Sequence, residues 1–145
     1  MILQFIVPGQ PVGKGRPRVG KVGGFSRLYT PEKTVSYESL VGYSAAQAMA
    51  GRPLLLEAVT VGMEIRLAVP ASWSKKKQAA ALAGAIHPTT KPDIDNVEKA
   101  IFDGMNGVVW KDDVQVVSVV KAKRYSDTPG VEVTVAPAAP EAAYS

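Results

Sequence analysis

From Val59 to Val69 the odd positions Val59, Val61, Met63, Ile65, Leu67 and Val69 are all apolar, with Thr60, Glu64 and Arg66 among the residues between them. A period of two sustained this long is the pattern of a β-strand with one face against a core and the other toward water. The chain therefore has to build a sheet, and the segments on either side decide which kind.

Ile2 to Val7 is apolar, ends at Pro8 and reads as a first strand. Residues 8–29 are rich in Gly and Pro and show neither period, which predicts a long loop of the sort that tends to be functional. Thr30-Pro31-Glu32 then supplies an N-cap, a proline at the first helical position and an acid in the first turn. That helix should run to about Ala50, with Gly51 as its stop. After Pro70, Ser72 is placed to cap a shorter helix through about Leu82, ended by Gly84.

A polar connection over 86–93 leads to a helix from Asp95 to about Met105. There Asp95 and Glu98 stand in capping-box spacing, and Ile94, Val97, Ile101 and Met105 form an apolar stripe. The β-branched run Val114 to Val120 suits a well-covered strand. Val131, Val133 and Val135 alternate with polar residues as a last strand, after a turn at Thr128-Pro129-Gly130. The order β-α-β-α-α-β-β predicts one α/β domain over residues 1–136, a mixed sheet with helices packed on it. Residues 137–145 read as a disordered tail.

The absence of cysteine excludes disulfides and thiolate metal sites, and a single histidine, His87, excludes a His-rich site. No apolar run approaches the roughly 20 residues of a membrane helix, and the N-terminus lacks the basic start of a signal peptide, so a cytoplasmic protein is expected. Charge is the informative quantity. Lys91 to Asp113 (KPDIDNVEKAIFDGMNGVVWKDD) holds six carboxylates against three lysines, a local charge of −3. The remainder holds 14 Lys and Arg against 7 acids, +7. A basic body around an acidic centre suits a protein that holds Mg²⁺ while gripping a polyanion.

Asp93 and Asp95 sit just before or at a helix start, where irregular backbone lets two carboxylates converge on one cation. Asp112 and Asp113 precede the next strand, and one of them can complete a site if that strand lies beside the helix Asp95 opens. Asp95, Lys99 and Asp103 share a helix face, so Lys99 would project near the cation and neutralise phosphoryl charge. Each residue also has a plainer reading: Asp95 as a cap, Lys99 as an i,i+4 partner, Asp112 and Asp113 as turn residues. Elsewhere, Lys14, Arg16, Arg18, Lys21 and Arg27 fall in an acid-free stretch suited to DNA phosphates. Lys121, Lys123 and Arg124 could line the same face. Trp73, Trp110 and Phe102 read as packing residues.

Lys-Pro, D-x-D-N, a lysine four residues after the second aspartate, and Asp-Asp-x-Gln leading into VQVVSVVKAKRY together resemble the motif of the RusA family of Holliday-junction resolvases. The likeness covers residues 91–125 closely, and the G-K-G-R-P-R segment and Tyr29-Thr30-Pro31 more loosely. It implies that Asp93, Asp95 and Asp113 bind catalytic Mg²⁺, with Mn²⁺ able to substitute, and that Lys99 assists; Asp103 and Asp112 fit the pattern without assigned roles. It also implies a small bacterial or phage-encoded homodimer that nicks four-way DNA junctions symmetrically. Two other readings fit the same residues: a non-catalytic nucleic-acid-binding module, and a Mg²⁺ nuclease for flaps or other branched DNA.

Overall fold

The computed structural model describes residues 2–15, 18–22, 25–29 and 32–140. The alternating segment forms β4 of a four-stranded mixed sheet, so its neighbours are introduced in chain order: β1 (Leu3–Pro8), β2 (Arg18–Val22), β3 (Phe25–Tyr29), α1 (Glu32–Met49), β4 (Val59–Ala68), α2 (Lys75–Leu82), α3 (Ile94–Met105), β5 (Val116–Ser126) and β6 (Gly130–Pro137). The sheet order is β1-β6-β4-β5, with β4 and β5 parallel and the other pairs antiparallel. A parallel neighbour requires a crossover, and α2 and α3 supply it. This is the expected α/β architecture, with one hairpin inserted after the first strand.

The odd residues of β4 are buried as the period demands, with Val59 and Ile65 fully enclosed. They meet Leu3 and Val7 of β1, Val131, Val133 and Val135 of β6, and the stripe Val97, Ile101 and Met105 of α3 in one core. α1 adds Tyr37, Val41, Ala45 and Met49. It stops where Ala50 (φ 50°) and Gly51 (φ 78°) turn left-handed, an ordinary conformation for glycine at a helix end.

Four expectations need correction. Residues 18–22 and 25–29 are not an open loop: β2 and β3 pair antiparallel, with Val22 opposite Phe25. The overlooked signal was in the sequence, where Gly23-Gly24 between two short runs is a hairpin pattern. The cap of α2 is Ser74, whose hydroxyl accepts from the Lys77 N–H, rather than Ser72. The β-branched run is not well covered: β5 is an edge strand, and Val117 and Val120 face solvent. The same apolar composition serves a central or an edge strand, so only tertiary context decides. The C-terminal tail starts later than expected, since Ala136 and Pro137 belong to β6 and the Ala138 N–H reaches Ala58 O at 2.9 Å. The Thr30-Pro31 start of the first helix and residues 141–145 lie outside the described residues.

α1 and α3 cross at Gly104. A Cβ there would stand 2.6 Å from Val41 Cβ and 2.8 Å from Glu38 O. Alanine favours a helix interior by about 1 kcal/mol over glycine. Overpacking a rigid crossing costs about 1–3 kcal/mol, and here one obstacle is backbone. Gly104→Ala is therefore expected to destabilise the fold, seen as a lower urea midpoint with an unchanged slope; a raised midpoint would contradict the packing.

Candidate active site

Asp93 is the N-cap of α3, with extended backbone (φ −68°, ψ 147°), and its carboxylate caps no backbone N–H. It accepts instead from Asn96 Nδ2 at 3.4 Å. The expected capping box of Asp95 and Glu98 does not form: Asp93, two residues earlier, takes the cap position and Asp95 falls in the first turn. Asp95 and Glu98 turn their carboxylates to Lys121 Nζ on β5, at 2.7 and 3.3 Å. Burial acts to lower the pKa of this ammonium, but the hydrogen bonds and charges of the two acids outweigh it and hold the pKa above the ordinary lysine value.

Two residues on, Lys123 Nζ donates to Thr90 O at 2.8 Å and Pro92 O at 3.2 Å. Alternate residues of one strand face therefore fix the start of α3 and the backbone that leads into it. Sequence reading left Lys121 and Lys123 as candidate binding-face bases. Their i, i+2 spacing was the available sign that both leave one face of the sheet.

Further along α3, Lys99 Nζ pairs with Asp103 Oδ1 at 3.1 Å, the i,i+4 contact of the plainer reading. Asp103 also receives Lys14 Nζ at 3.1 Å, and Lys14 reaches Glu38 Oε1 of α1 at 2.5 Å. Burial lowers the Lys14 pKa, yet hydrogen bonds to Glu38 and Asp103 leave it raised. The Lys14 N–H bonds Asn96 O at 2.8 Å, and the Gly15 N–H bonds Thr34 Oγ1 at 3.0 Å. Lys14 is consequently a strut between α1, α3 and the N-terminal segment.

Of the other basic residues expected to hold DNA, Arg18 and Lys21 lie on β2 and Arg27 on β3, while Arg16 lies outside the described residues. Between the 10–15 segment, Lys33 and Thr34 of α1, and Lys91, Pro92, Asp93 and Asn96 runs a groove of about 760 Å³.

Asp112 and Asp113 stand elsewhere. Asp112 caps the short 3₁₀ turn Asp113–Gln115 reciprocally with Gln115. Gln115 Nε2 donates to Leu55 O and Glu57 O at 2.9 and 3.0 Å, while its Oε1 accepts from the N–H groups of Lys111 and Asp112. This clamp sits at the head of β5, whereas Asp95 meets β5 at Lys121. Val116 to Lys121 alone spans about 16 Å of extended chain. The structure brings Asp93 and Asp95 to one helix start and leaves Asp113 at the far end of the strand beside it. Among the described residues no three of His, Cys, Asp and Glu stand together as a metal site.

The packing reading of the aromatic residues holds. Trp110 is fully buried edge-to-face with Phe102, and Trp73 lies edge-to-face with Tyr125 beneath Lys77 Nζ. Among the described residues no helix is long and apolar enough to cross a membrane.

Comparison with known proteins adds two findings. A family profile described as "Endodeoxyribonuclease RusA" matches residues 8–136. The chain is also 37% identical over 137 residues to the uncharacterized protein YqaN of Bacillus subtilis (strain 168), covering 92% of this chain and 94% of that protein.

Proposed function

This chain belongs to the RusA family of endodeoxyribonucleases, and from that footing we propose that it resolves four-way DNA junctions by paired symmetric nicks, using Mg²⁺. The observation that carries the reading is the meeting of acid and groove: Asp93, at the start of α3, lines a channel whose walls carry Lys33 and Lys91. A channel with basic walls draws in a phosphate backbone, and the carboxylate lies where that backbone passes.

The donor set fits a hard cation. Asp93 and Asp95 are exposed carboxylates, and Asp95 with Glu98 already gathers one positive charge, that of Lys121. Magnesium keeps several waters, so few protein ligands suffice. Asp93 and Asp95 would hold it, with Mn²⁺ able to take its place, while Asp113, which the family likeness adds to them, lies at the other end of β5 in this chain. When bound, such an ion neutralises phosphate charge and acidifies a water.

The rest falls to the chain itself. Lys99, at the exposed rim of α3, supplies positive charge to the phosphate under attack. Lys121 and Lys123 keep the start of α3 in place. The hairpin residues Arg18, Lys21 and Arg27, with Arg16, hold DNA without reading its bases, and Lys14 braces that segment on α1 and α3. Two nicks related by two-fold symmetry call for two copies of the site in a homodimer.

Labelled four-way junction, linear duplex and flap incubated with Mg²⁺, with Mn²⁺ or with chelator test the proposal. Paired nicks in opposite arms of the junction, with 5′-phosphate ends and no cutting in chelator, are the expected result. Junction binding without cutting under any metal would make the protein a binding module. Cutting of the flap beside an intact junction would make it a nuclease of another branched substrate.

A further inference from the structure

Lys121 stands where a cation is wanted. Its ammonium lies 2.7 Å from Asp95 Oδ1 and 3.3 Å from Glu98 Oε1, between two acids three positions apart on α3. Acids so spaced on a helix repel one another, and a positive charge set between them removes the repulsion. That charge comes from another element, since Lys121 belongs to β5 and pairs in register with Met63 of β4. Two positions on, Lys123 holds the carbonyls of Thr90 and Pro92. One lysine of the strand thus fixes the backbone leading into Asp93, and the other holds the side chain of Asp95.

The three charged groups are unequally free. The side chains of Lys121 and Glu98 are 24% and 23% exposed, whereas that of Asp95 is 88% exposed. Lys121 and Glu98 are therefore the packed pair, and Asp95 closes on the ammonium from the solvent side. An exposed carboxylate changes partners readily, because water replaces each contact it gives up. Asp95 is the member able to leave.

We propose that Lys121 is a positioning residue that keeps the place of the divalent ion: it holds Asp95 until the ion arrives, and Asp95 then passes to the ion while Lys121 stays on Glu98. The exchange rests on the metal reading above, and it adds Lys121 and Glu98 to that site as the pair that sets its threshold. A monovalent cation brings no more charge than Lys121 already supplies, so a multiply charged ion is needed to draw Asp95 away.

A permanent brace and an exchanging one differ in sign. If Lys121 only braces α3, its loss loosens the acids and weakens ion binding. If it competes for Asp95, its loss frees that carboxylate and also removes a like charge from beside the ion. Both effects then favour binding, since a site held by a competitor binds with an affinity reduced by the fraction left free.

Mn²⁺ binding, followed by the electron paramagnetic resonance of the free ion, reads that sign without any DNA. Lys121→Met is expected to tighten binding about three- to tenfold, and Lys121→Arg, which keeps the charge, to stay within about twofold of wild type. Equal or weaker binding by Lys121→Met overturns the exchange. Asp95→Asn should lose the same binding. Mn²⁺ held equally by Asp95→Asn and by wild type would remove Asp95 from the metal site altogether, and the metal reading would fall along with the exchange.

A second measurement uses the wild-type chain. On addition of Mg²⁺, the nuclear magnetic resonance signal of the Lys121 ammonium should shift along the same saturation curve as the Asp95 amide. A Lys121 signal that stays still while the Asp95 amide saturates overturns the exchange and leaves the metal site standing.

Discussion

Asp95→Asn is expected to reduce junction cutting by about a hundredfold or more while leaving junction binding intact or tighter. The size follows from the loss of a charged ligand at the point where phosphate charge is neutralised, a contribution of several kcal/mol with 1.4 kcal/mol per tenfold in rate. The sign of the binding effect follows from position. Asp95 is 88% exposed at the helix start, so its charge repels an incoming phosphate, and asparagine removes the repulsion at nearly the same volume. Stability should change by no more than about 0.5 kcal/mol, since Glu98 still holds Lys121 and nothing buried is disturbed. Gel-shift titration beside a cleavage time course separates the two effects. Cutting equal to wild type would remove Asp95 from the site; cutting and binding lost together would give it a role in DNA contact.

The largest stability effect should come from Trp110→Ala. The indole is fully buried, stands edge-to-face on Phe102 with ring centres 5.4 Å apart, and donates from Nε1 to Asn106 Oδ1 at 2.7 Å. Its backbone bridges Leu55 and Asn106, tying the chain after α3 to the segment that enters β4. Large-to-small replacement of a buried aromatic costs about 3–5 kcal/mol, out of a total of about 5–15 kcal/mol for a domain. A fall in melting temperature of roughly 10 °C or more is expected by scanning calorimetry. A melting temperature within a few degrees of wild type, with DNA binding lost, would instead make Trp110 a stacking residue.

Local pattern carried much of this molecule. The alternation from Val59 to Val69 foretold which side of β4 is buried, because a strand turns its side chains by half a revolution per residue. The Val97, Ile101 and Met105 stripe did the same for α3. What pattern could not carry was pairing between distant residues. Lys14 looked like a free DNA-binding charge until the fold set Glu38 and Asp103 beside it, and nothing local marks a partner 89 positions away. Lys121 found Asp95 and Glu98 by the same non-local route. For β5, a run of valines announced a strand but not its place at the margin of the sheet. The D-x-D spacing marked the start of α3, while the two-residue shift of the cap from Asp95 to Asp93 left Asp95 in the first turn, facing Lys121.

The strut at Lys14 has one more consequence. Its side chain joins Glu38 and Asp103 and its backbone joins Asn96, so the wall of the groove formed by residues 10–15 is fastened to the helix that begins at Asp93. The width of that groove is thereby a property of the folded core rather than of a free loop.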